Sequence, residues 1–341
     1  MRIVITNDPI IPVPPSGYGG IERIVDFVVR GLVAHGHEVT LLAHPSSRTP
    51  ATLVPYGVPP HTGARPRATE LWQVGSYLVR NRHRYDIIHS FGRLAALLPV
   101  LPMRGIPKIQ SYQRPVPWRS VRIAARIAGD SVRFTGCSTS LWANFPQGAS
   151  RWTTVYNGAP MAPYAPVLRV PDDAPLVFLG RLDPIKGVHH AIAIARGAGR
   201  RLLIAGPRQS NDRGYFDRDI APHLSSEITY IGELDDRGKN ELLGQGAALL
   251  MPIEWDEPFG IVMAEALACG TPVIGFRRGS VPEVVRNGRN GYLCDTVADA
   301  IAQVACLSTI DRAAVRADFE ARFSDRALVA AYEALYAEMV A

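Results

Sequence analysis

Residues 257–275 read Glu257-Pro-Phe-Gly-Ile-Val-Met-Ala-Glu265-Ala-Leu-Ala-Cys-Gly-Thr-Pro-Val-Ile-Gly275. The first Pro and Gly of this segment predict a loop, and the apolar run over 261–268 predicts a short helix. Gly270 suits the C-terminal end of that helix, and the following proline prevents its continuation. The remaining residues, 271–275, are expected to form a buried strand.

The two glutamates lie on either side of the predicted helix start. Glu257 precedes the helix in the loop, and Glu265 lies about two turns further along. Backbone N–H groups at a helix start can bind an anion, and a loop carboxylate beside them can accept hydrogen bonds from hydroxyls. This combination suits a ligand with phosphate and sugar hydroxyls, although a glutamate at a helix start is more often a surface charge favoured by the helix dipole.

Strand-like apolar runs alternate with helical patterns along the chain, which predicts an α/β fold with βαβ units and parallel sheets. In the first half we expect strands at 2–6, 38–43, 86–89, 106–112, 132–136 and 153–156, and helices at 21–34, at 71–82 and from about 119. The Pro-rich stretch 160–175 reads as an interdomain linker. In the second half we expect strands at 176–179, 202–205, 228–231, 247–251 and 272–275, and helices at 188–197, 239–243, 260–268 and 326–340.

Composition and charge set the broad class. The 341 residues are 47% hydrophobic and 20% charged, which suggests a soluble protein of about two domains. No apolar run is long enough to span a membrane, no signal-peptide pattern is present, and the four cysteines lack metal or disulfide spacing, so we expect a cytoplasmic location.

The net charge is unevenly distributed along the chain. Residues 1–160 carry 18 basic and 7 acidic residues (net +11), whereas residues 161–341 carry 19 basic and 24 acidic residues (net −5). The first half could therefore meet an anionic acceptor or membrane surface, or its arginines could serve solubility alone.

A cationic loop follows the first predicted strand of the second half. It reads Gly180-Arg181-Leu-Asp-Pro-Ile-Lys186-Gly187. Ligands of open α/β sheets bind beyond the carboxyl ends of strands, and an Arg and a Lys together suit a diphosphate. Lys186 is one of only 3 lysines beside 34 arginines, which makes a purely solvent-exposed role less satisfactory.

Four features of the first half are candidate ligand contacts. The loop Gly17-Tyr-Gly19-Gly20 would let the backbone approach a ligand closely, although it lacks dinucleotide-binding spacing. His89 ends a predicted strand, where a packed core role is the alternative. Asn157-Gly158 reads as a ligand contact or a structural turn. The segment after residue 112 carries aromatics and the arginines Arg114, Arg119 and Arg122, which suit an anion or form a solvated helix face.

Together these segments resemble retaining glycosyltransferases of family 4, which have the GT-B architecture of two Rossmann-like domains whose parallel sheets face an interdomain cleft. The resemblance is carried by the E-x7-E pair, the G-R-x-x-x-x-K-G loop, the Gly-Gly loop, the strand-end histidine, Gly279-Ser-Val-Pro-Glu283 and Asn287-Gly-Arg-Asn-Gly-Tyr-Leu293. It implies domains at 1–160 (acceptor side) and 161–325 (donor binding), with a helix at 326–341 packing back on the first. It also implies a nucleotide diphosphate sugar donor, UDP-sugar favoured, with no cofactor and no essential metal.

The resemblance further implies roles for individual residues. Arg181 and Lys186 would neutralise the donor β-phosphate, Glu257 would hold sugar hydroxyls and Glu265 the ribose hydroxyls. His89 would lie near the donor sugar. The other donor-binding positions are Gly19, Gly20, Asn157, Pro258, Phe259, Gly260, Ile261 and Val262.

The acceptor is expected to be a small molecule, a glycan or a lipid-linked molecule, and nucleic acid is not expected as a partner because no binding motif accompanies the basic charge. A lipid-linked acceptor would place the protein peripherally at the inner membrane face. The alternative functions are a sugar-nucleotide epimerase or phosphorylase of the same fold, and a non-catalytic nucleotide-sugar-binding protein.

Overall fold

The structure is a computed structural model that describes residues 1–15, 17, 19–57, 65–144, 151–208 and 214–341. The chain folds into two compact units. Unit 1 comprises Met1–Asn157 and Asp325–Ala341, and unit 2 comprises Gly158–Ser324. In each unit helices alternate with the strands of a parallel sheet, so the prediction of two Rossmann-like α/β sheets is confirmed.

Unit 1 contains a seven-stranded sheet. Its strands are β1 (Arg2–Thr6), β2 (Glu38–Ala43), β3 (Thr52–Pro55), β4 (Ile87–Ser90), β5 (Lys108–Tyr112), β6 (Val132–Gly136) and β7 (Trp152–Thr154), in the order β3-β2-β1-β4-β5-β6-β7. The helices of its first segment are α1 (Gly20–Ala34), α2 (Arg65–Asn81) and α3 (Trp118–Ala128). Strand β3 was not predicted, because it is a four-residue edge strand that ends in a proline, and such a strand has no long apolar run.

Unit 2 contains a six-stranded sheet. Its strands are β8 (Leu176–Leu179), β9 (Leu202–Ala205), β10 (Ile228–Tyr230), β11 (Ala248–Met251), β12 (Val273–Phe276) and β13 (Gly291–Cys294), in the order β10-β9-β8-β11-β12-β13. Its helices are α4 (Val188–Gly197), α5 (Asp236–Gln245), α6 (Ile261–Ala268), α7 (Val281–Val284), α8 (Val297–Val304) and α9 (Arg312–Arg322). Helix α5 begins three residues before the predicted start because the Asp235 side chain accepts a hydrogen bond from Gly238 N at 2.8 Å and caps it.

The last helix, α10 (Asp325–Val340), belongs to unit 1. Its apolar stripe is buried, namely Leu328, Val329, Tyr332, Leu335 and Tyr336. Val329 fills the space that a side chain at Gly31 of α1 would occupy. Glu333 binds His35 Nδ1 and His37 Nε2 at 2.9 Å each, so packing and polar bonds both fix α10 to unit 1.

In each sheet the strand order changes direction beside the first strand of the unit. In unit 1, β2 and β3 extend the sheet on one side of β1, and the later strands, starting with β4, extend it on the other side. In unit 2, the same change of direction falls between β8 and β11. Ligands of open α/β sheets bind outside the carboxyl ends of strands at such a switch point. The loops after β8 and β11 are therefore the first place to look for a site in unit 2. Over the described residues, no helix has the length and apolar character needed to cross a membrane.

Candidate active site

The loops that follow β8 and β11 lie directly against each other. Asp183 shapes the first loop by accepting a hydrogen bond from Ile185 N at 3.2 Å, and Gly187 ends it with φ 74°. A Cβ at Gly187 would collide with the Pro252 carbonyl oxygen, so glycine is required by both conformation and space. Glu254 N donates to Ile185 O at 2.9 Å. These contacts place the predicted cationic loop beside the segment that carries Glu257.

Lys186 and Glu257 form an ion pair in this position. Lys186 Nζ donates to Glu257 Oε2, and the lysine and glutamate side chains are 17% and 10% exposed. The Trp255 indole donates to the same carboxylate oxygen at 2.9 Å, and the Lys186 ammonium lies 4.8 Å from the centre of the Trp255 ring. The carboxylate is thus fixed by two donors and the ammonium by one carboxylate and one aromatic face.

The backbone around Glu257 is held by the segment at 279–280. Gly279 has φ 51°, and a side chain there would collide with the backbone of Glu257. Ser280 N donates to Glu257 O at 3.0 Å, and Ser280 Oγ donates to Phe259 O at 2.8 Å. The resemblance had included Gly279-Ser280 without a role, and its position indicates that it supports the Glu257 loop.

Glu265 forms an ion pair with a second lysine, Lys239. Lys239 Nζ of α5 donates to Glu265 Oε1 at 3.0 Å, and the Tyr164 hydroxyl donates to the same oxygen at 2.7 Å. The two side chains of this ion pair are again 17% and 10% exposed. Burial opposes the charge of Lys239, but Glu265 and Asp236 outweigh it and raise its pKa. Burial and the adjacent Glu265 charge likewise raise the pKa of Tyr164.

Sequence reasoning missed three residues of these two clusters: Trp255, Lys239 and Tyr164. A signal for Lys239 was present, since it is another of the three lysines in an arginine-rich chain. The third, Lys108, serves as a counterexample. It is fully buried in unit 1, where Nζ donates to Met103 O and Ser131 Oγ at 2.8 Å each. The rarity of lysine in this chain therefore indicates a special environment, but rarity alone does not distinguish a ligand contact from a buried structural role.

The remaining predicted donor positions of unit 2 surround the start of α6. Gly260 precedes the helix with φ 71°, which favours glycine. Pro258 and Phe259 are buried, whereas Ile261 and Val262 are half-buried. The first amides of a helix have no partner within it, so the backbone here is suited to an anion. Arg181 remains one-third exposed, and its guanidinium lies 3.7 Å from the Asp183 carboxylate.

His89 lies in the core of unit 1. It has no exposed surface, its Nδ1 hydrogen-bonds with the Tyr336 hydroxyl at 2.6 Å, and its Nε2 hydrogen-bonds with Ser111 Oγ at 2.7 Å. The ring packs against Phe91 with the ring centroids 4.2 Å apart and the ring planes tilted by 36°. Burial lowers the pKa of His89 to about 3, so the imidazole is neutral. The packed core role matches these contacts, and contact with a donor sugar stays a prediction.

The Gly-Gly loop lies at the carboxyl end of β1. A Cβ at Gly19 would lie 2.7 Å from Pro15 Cβ and 3.0 Å from Glu22 Oε2, so this position requires a residue without a side chain. Gly20 is the first residue of α1. Tyr18 of this loop and the preceding Ser16 lie outside the described residues. Burial raises the pKa of Glu22, with the Arg114 charge opposing the rise.

Asn157 ends the first segment of unit 1 and is buried. Its Nδ2 donates to Gln113 Oε1 at 2.6 Å, and its Oδ1 has no partner among the described residues. A buried acceptor of this kind suits a ligand that donates a hydrogen bond. The three candidate acceptor arginines lie at or near the surface: Arg114 and Arg119 are exposed, and Arg122 lies 5.2 Å from the centre of the Trp118 ring.

Comparison with known proteins agrees with this architecture. Residues 165–312 match the family model "Glycosyl transferases group 1", and residues 18–161 match "Glycosyltransferase Family 4". The chain is 26% identical over 332 residues to glycogen synthase of Mycobacterium tuberculosis, with 82% of this chain and 80% of that protein covered. AviGT4, a glycosyltransferase involved in avilamycin A biosynthesis, is 26% identical with a TM-score of 0.70, and 100% of this chain and 98% of that chain are covered. HepE of Anabaena, solved in complex with UDP, is 17% identical with a TM-score of 0.74 and 99% and 100% coverage.

The two family matches together span most of the chain, and the structural matches span all or nearly all of it. The fold is therefore GT-B, and the chain belongs to the family-4 type of glycosyltransferases. It is an enzyme that transfers a glycosyl unit, as the resemblance implied.

Proposed function

We propose that this enzyme transfers a hexosyl unit from a nucleotide diphosphate sugar to a hydroxyl acceptor, with retention of anomeric configuration and without an essential metal. UDP is the favoured nucleotide. The observation that carries the proposal is the pairing of each glutamate of the E-x7-E motif with its own lysine, Lys186 for Glu257 and Lys239 for Glu265. HepE, which shares the fold, binds UDP in its own structure.

The proposed donor complex places opposite charges where the donor carries them. Lys186, Arg181 and the first amides of α6 would bind the diphosphate and stabilise the negative charge that develops as it leaves. Glu257 would accept hydrogen bonds from sugar hydroxyls, and Glu265 from the ribose. Because the bound ligand brings hydroxyls to each carboxylate and phosphate to Lys186, every charged group in the site retains a partner.

The proposed reaction is a substitution on one face of the sugar. The bond between C1 and the diphosphate oxygen breaks, and its electron pair leaves with the diphosphate. The acceptor oxygen forms its bond to C1 from the same face, and its proton passes to the leaving phosphate oxygen. The two donors on the Glu257 carboxylate support this account, because they make it a weaker nucleophile for a double displacement.

Unit 1 is the proposed acceptor side. The acceptor would be a small molecule, a glycan or a lipid-linked molecule that carries negative charge or lies at an anionic surface. The basic net charge of residues 1–160 supports this part of the proposal. Helix α3 adds support because it exposes Trp118, Ile123 and Ile127 beside its arginines, a combination suited to peripheral contact with the inner membrane face.

A thermal-shift screen of UDP-, GDP-, ADP- and TDP-sugars tests the donor assignment, because a ligand that binds the folded state raises Tm. We expect UDP-sugars to give the largest increase. Glu265→Gln should reduce the increase, whereas Glu241→Gln, on the exposed face of α5, should leave it unchanged. No increase with any nucleotide sugar, or equal increases in both variants, would contradict the proposed donor site.

A further inference from the structure

A group of metal-type ligands lies at the start of α4, beside the proposed donor residues. His190 Nε2 lies 2.7 Å and His189 Nε2 3.4 Å from Glu254 Oε1. The three ligand atoms all lie within 4.8 Å of one another. Across the described residues, this is the one group of three or more His, Cys, Asp or Glu side chains that comes so close together. The donor-site assignment gives these three side chains no role.

We propose that His189, His190 and Glu254 form a binding site for a divalent transition-metal ion of the zinc type. Two imidazoles and one carboxylate are a donor set that zinc accepts, with bonds of about 2.0–2.2 Å. In a tetrahedral site such bonds place neighbouring ligand atoms roughly 3.3 Å apart. The observed distances of 2.7 and 3.4 Å lie close to that spacing, so small side-chain rotations would admit the ion.

Tyr215 orients one of the proposed ligands. Its hydroxyl hydrogen-bonds with His189 Nδ1 at 2.8 Å, and its side chain is buried. A partner on one ring nitrogen fixes the ring and directs the other nitrogen to the metal, which is the usual arrangement around metal-binding histidines. Glu254 is 43% exposed, so the fourth position of a bound ion would be open to water.

The site joins the same two chain segments that form the Lys186–Glu257 pair. His189 follows Lys186 by three residues, and Glu254 precedes Glu257 by three. A bound ion would therefore link α4 to the segment after β11. Its binding is separate from the proposed reaction, in which the diphosphate is held by Lys186, Arg181 and backbone amides, so the two proposals can fail independently.

A similar group in unit 1 offers a matched control. His35 Nδ1 and His37 Nε2 each lie 2.9 Å from the Glu333 carboxylate, and His37 Nδ1 also lies 3.2 Å from the N-terminal amine. Cys306 is a second control, because it is the one cysteine of the four that is not buried. A zinc ion bound adventitiously by exposed groups would depend on these residues.

Isothermal titration of Zn²⁺ into the full chain, freed of metal with EDTA and dialysed, tests the site. We expect one ion to bind, with affinity reduced at least tenfold in His190→Ala and Glu254→Gln and about tenfold in Tyr215→Phe. His190→Gln is a second variant that preserves more of the side-chain volume. Co²⁺ as a probe should show the visible absorption of a tetrahedral site in the parent chain and lose it in His190→Gln.

The controls distinguish binding at this site from binding at other exposed groups. His35→Ala and Cys306→Ser should keep the affinity of the parent chain for Zn²⁺. Circular dichroism and Tm without metal should show that every variant is folded. The proposal is overturned if the parent chain binds no Zn²⁺, if His190→Ala and Glu254→Gln bind as the parent does, or if His35→Ala or Cys306→Ser abolishes binding.

Discussion

The two units build similar parallel sheets but place their charged and polar side chains differently. In unit 2, the largely buried carboxylates of Glu257 and Glu265 each form an ion pair with a lysine, and the Glu257 pair lies in the loops at the strand-order reversal. In unit 1, the corresponding region buries His89 among hydroxyls, and the positive charge lies on exposed arginines. The difference agrees with the proposal that unit 2 binds the donor through fixed charges, whereas unit 1 combines a neutral core with a general positive field.

The largest expected effect tests the fixed charge in unit 2. We expect Lys186→Ala to lower kcat at least about a hundredfold at saturating donor, because one lost contact to the developing charge costs about 3 kcal/mol of transition-state stabilisation. Lys186→Arg should retain part of the activity, since it keeps the charge but changes its geometry. Circular dichroism should show an intact fold. Near-normal kcat in Lys186→Ala would remove Lys186 from the mechanism.

The second prediction tests the neutral core of unit 1 through pH. The pKa of His89 is about 3 in the folded chain, below the ordinary value of about 6.5, because burial disfavours the charged imidazole. The unfolded chain binds the proton below pH 6.5 and the folded chain does not, so the His89 contribution to stability is present above pH 6.5 and decreases as the pH falls towards 3. The loss between pH 7.5 and 5 should be about 2 kcal/mol.

Urea unfolding of the parent chain and of His89→Gln at pH 7.5 and 5 measures this loss. The variant should be less stable at pH 7.5, because it disturbs bonds to Tyr336 and Ser111, but it should lose less stability on acidification. Equal pH dependence in the two proteins would show that His89 is protonated in the folded state. In that case the ring would be accessible, as a role beside the donor sugar requires.

The surroundings of Lys186 and His89 also show which features of the site can be predicted from sequence. The positions of Lys186 and Glu257 followed from a strand, a loop and a helix start, since local patterns determine which residues lie at the carboxyl ends of parallel strands. The partners Tyr336, Tyr164 and Lys239 are distant in sequence from the residues they bind. No local pattern specifies which helix faces which loop, so these contacts could not be predicted.

The fold, like the site, could be predicted only where a local sequence pattern determines the element. The four-residue strands β8 and β9 matched their predicted bounds, because a buried parallel strand is a continuous apolar run. The elements β3, β13 and α7 were missed, since each has only four residues and lacks a continuous apolar run. Helices α8 and α9 were also missed, although they have 8 and 11 residues.

The third prediction compares the two ion pairs of unit 2. We expect Lys239→Met to raise the KM for donor about tenfold and to leave kcat nearly unchanged, because Lys239 fixes a carboxylate that would bind the ribose, remote from the bond that breaks. Tyr164→Phe, which removes the other donor to Glu265, should raise this KM less. A fall in kcat comparable to that of Lys186→Ala would mean that both pairs act on the transition state.

The fourth prediction concerns the positive field of unit 1. The triple variant Arg114→Gln, Arg119→Gln, Arg122→Gln should raise the acceptor KM several-fold, and the difference from the parent should shrink with salt, because charges are screened over about 8–10 Å near physiological ionic strength. Donor KM should not change. The matched control replaces exposed arginines of unit 2, Arg201, Arg237 and Arg277, by Gln. An unchanged acceptor KM across salt concentrations would make the basic surface incidental and indicate a neutral acceptor.

The smallest expected effect is that of removing divalent metal. In the proposed site, Lys186, Arg181 and the amides of α6 would provide positive charge for the diphosphate. The Asp217-Arg-Asp219 sequence lies in a short π-helical segment, Phe216–Ile220, where Arg218 Nη2 donates to Asp219 Oδ2 at 2.7 Å. Turnover with EDTA should therefore equal turnover with added Mg²⁺ or Mn²⁺. If EDTA abolished activity and either ion restored it, the fixed charges of unit 2 would be insufficient, and a metal would have to complete the phosphate site. EDTA would also remove Zn²⁺ from the proposed site at His189, His190 and Glu254. The variant His190→Gln distinguishes this loss from a metal requirement of the reaction, because it should bind little Zn²⁺ yet retain turnover.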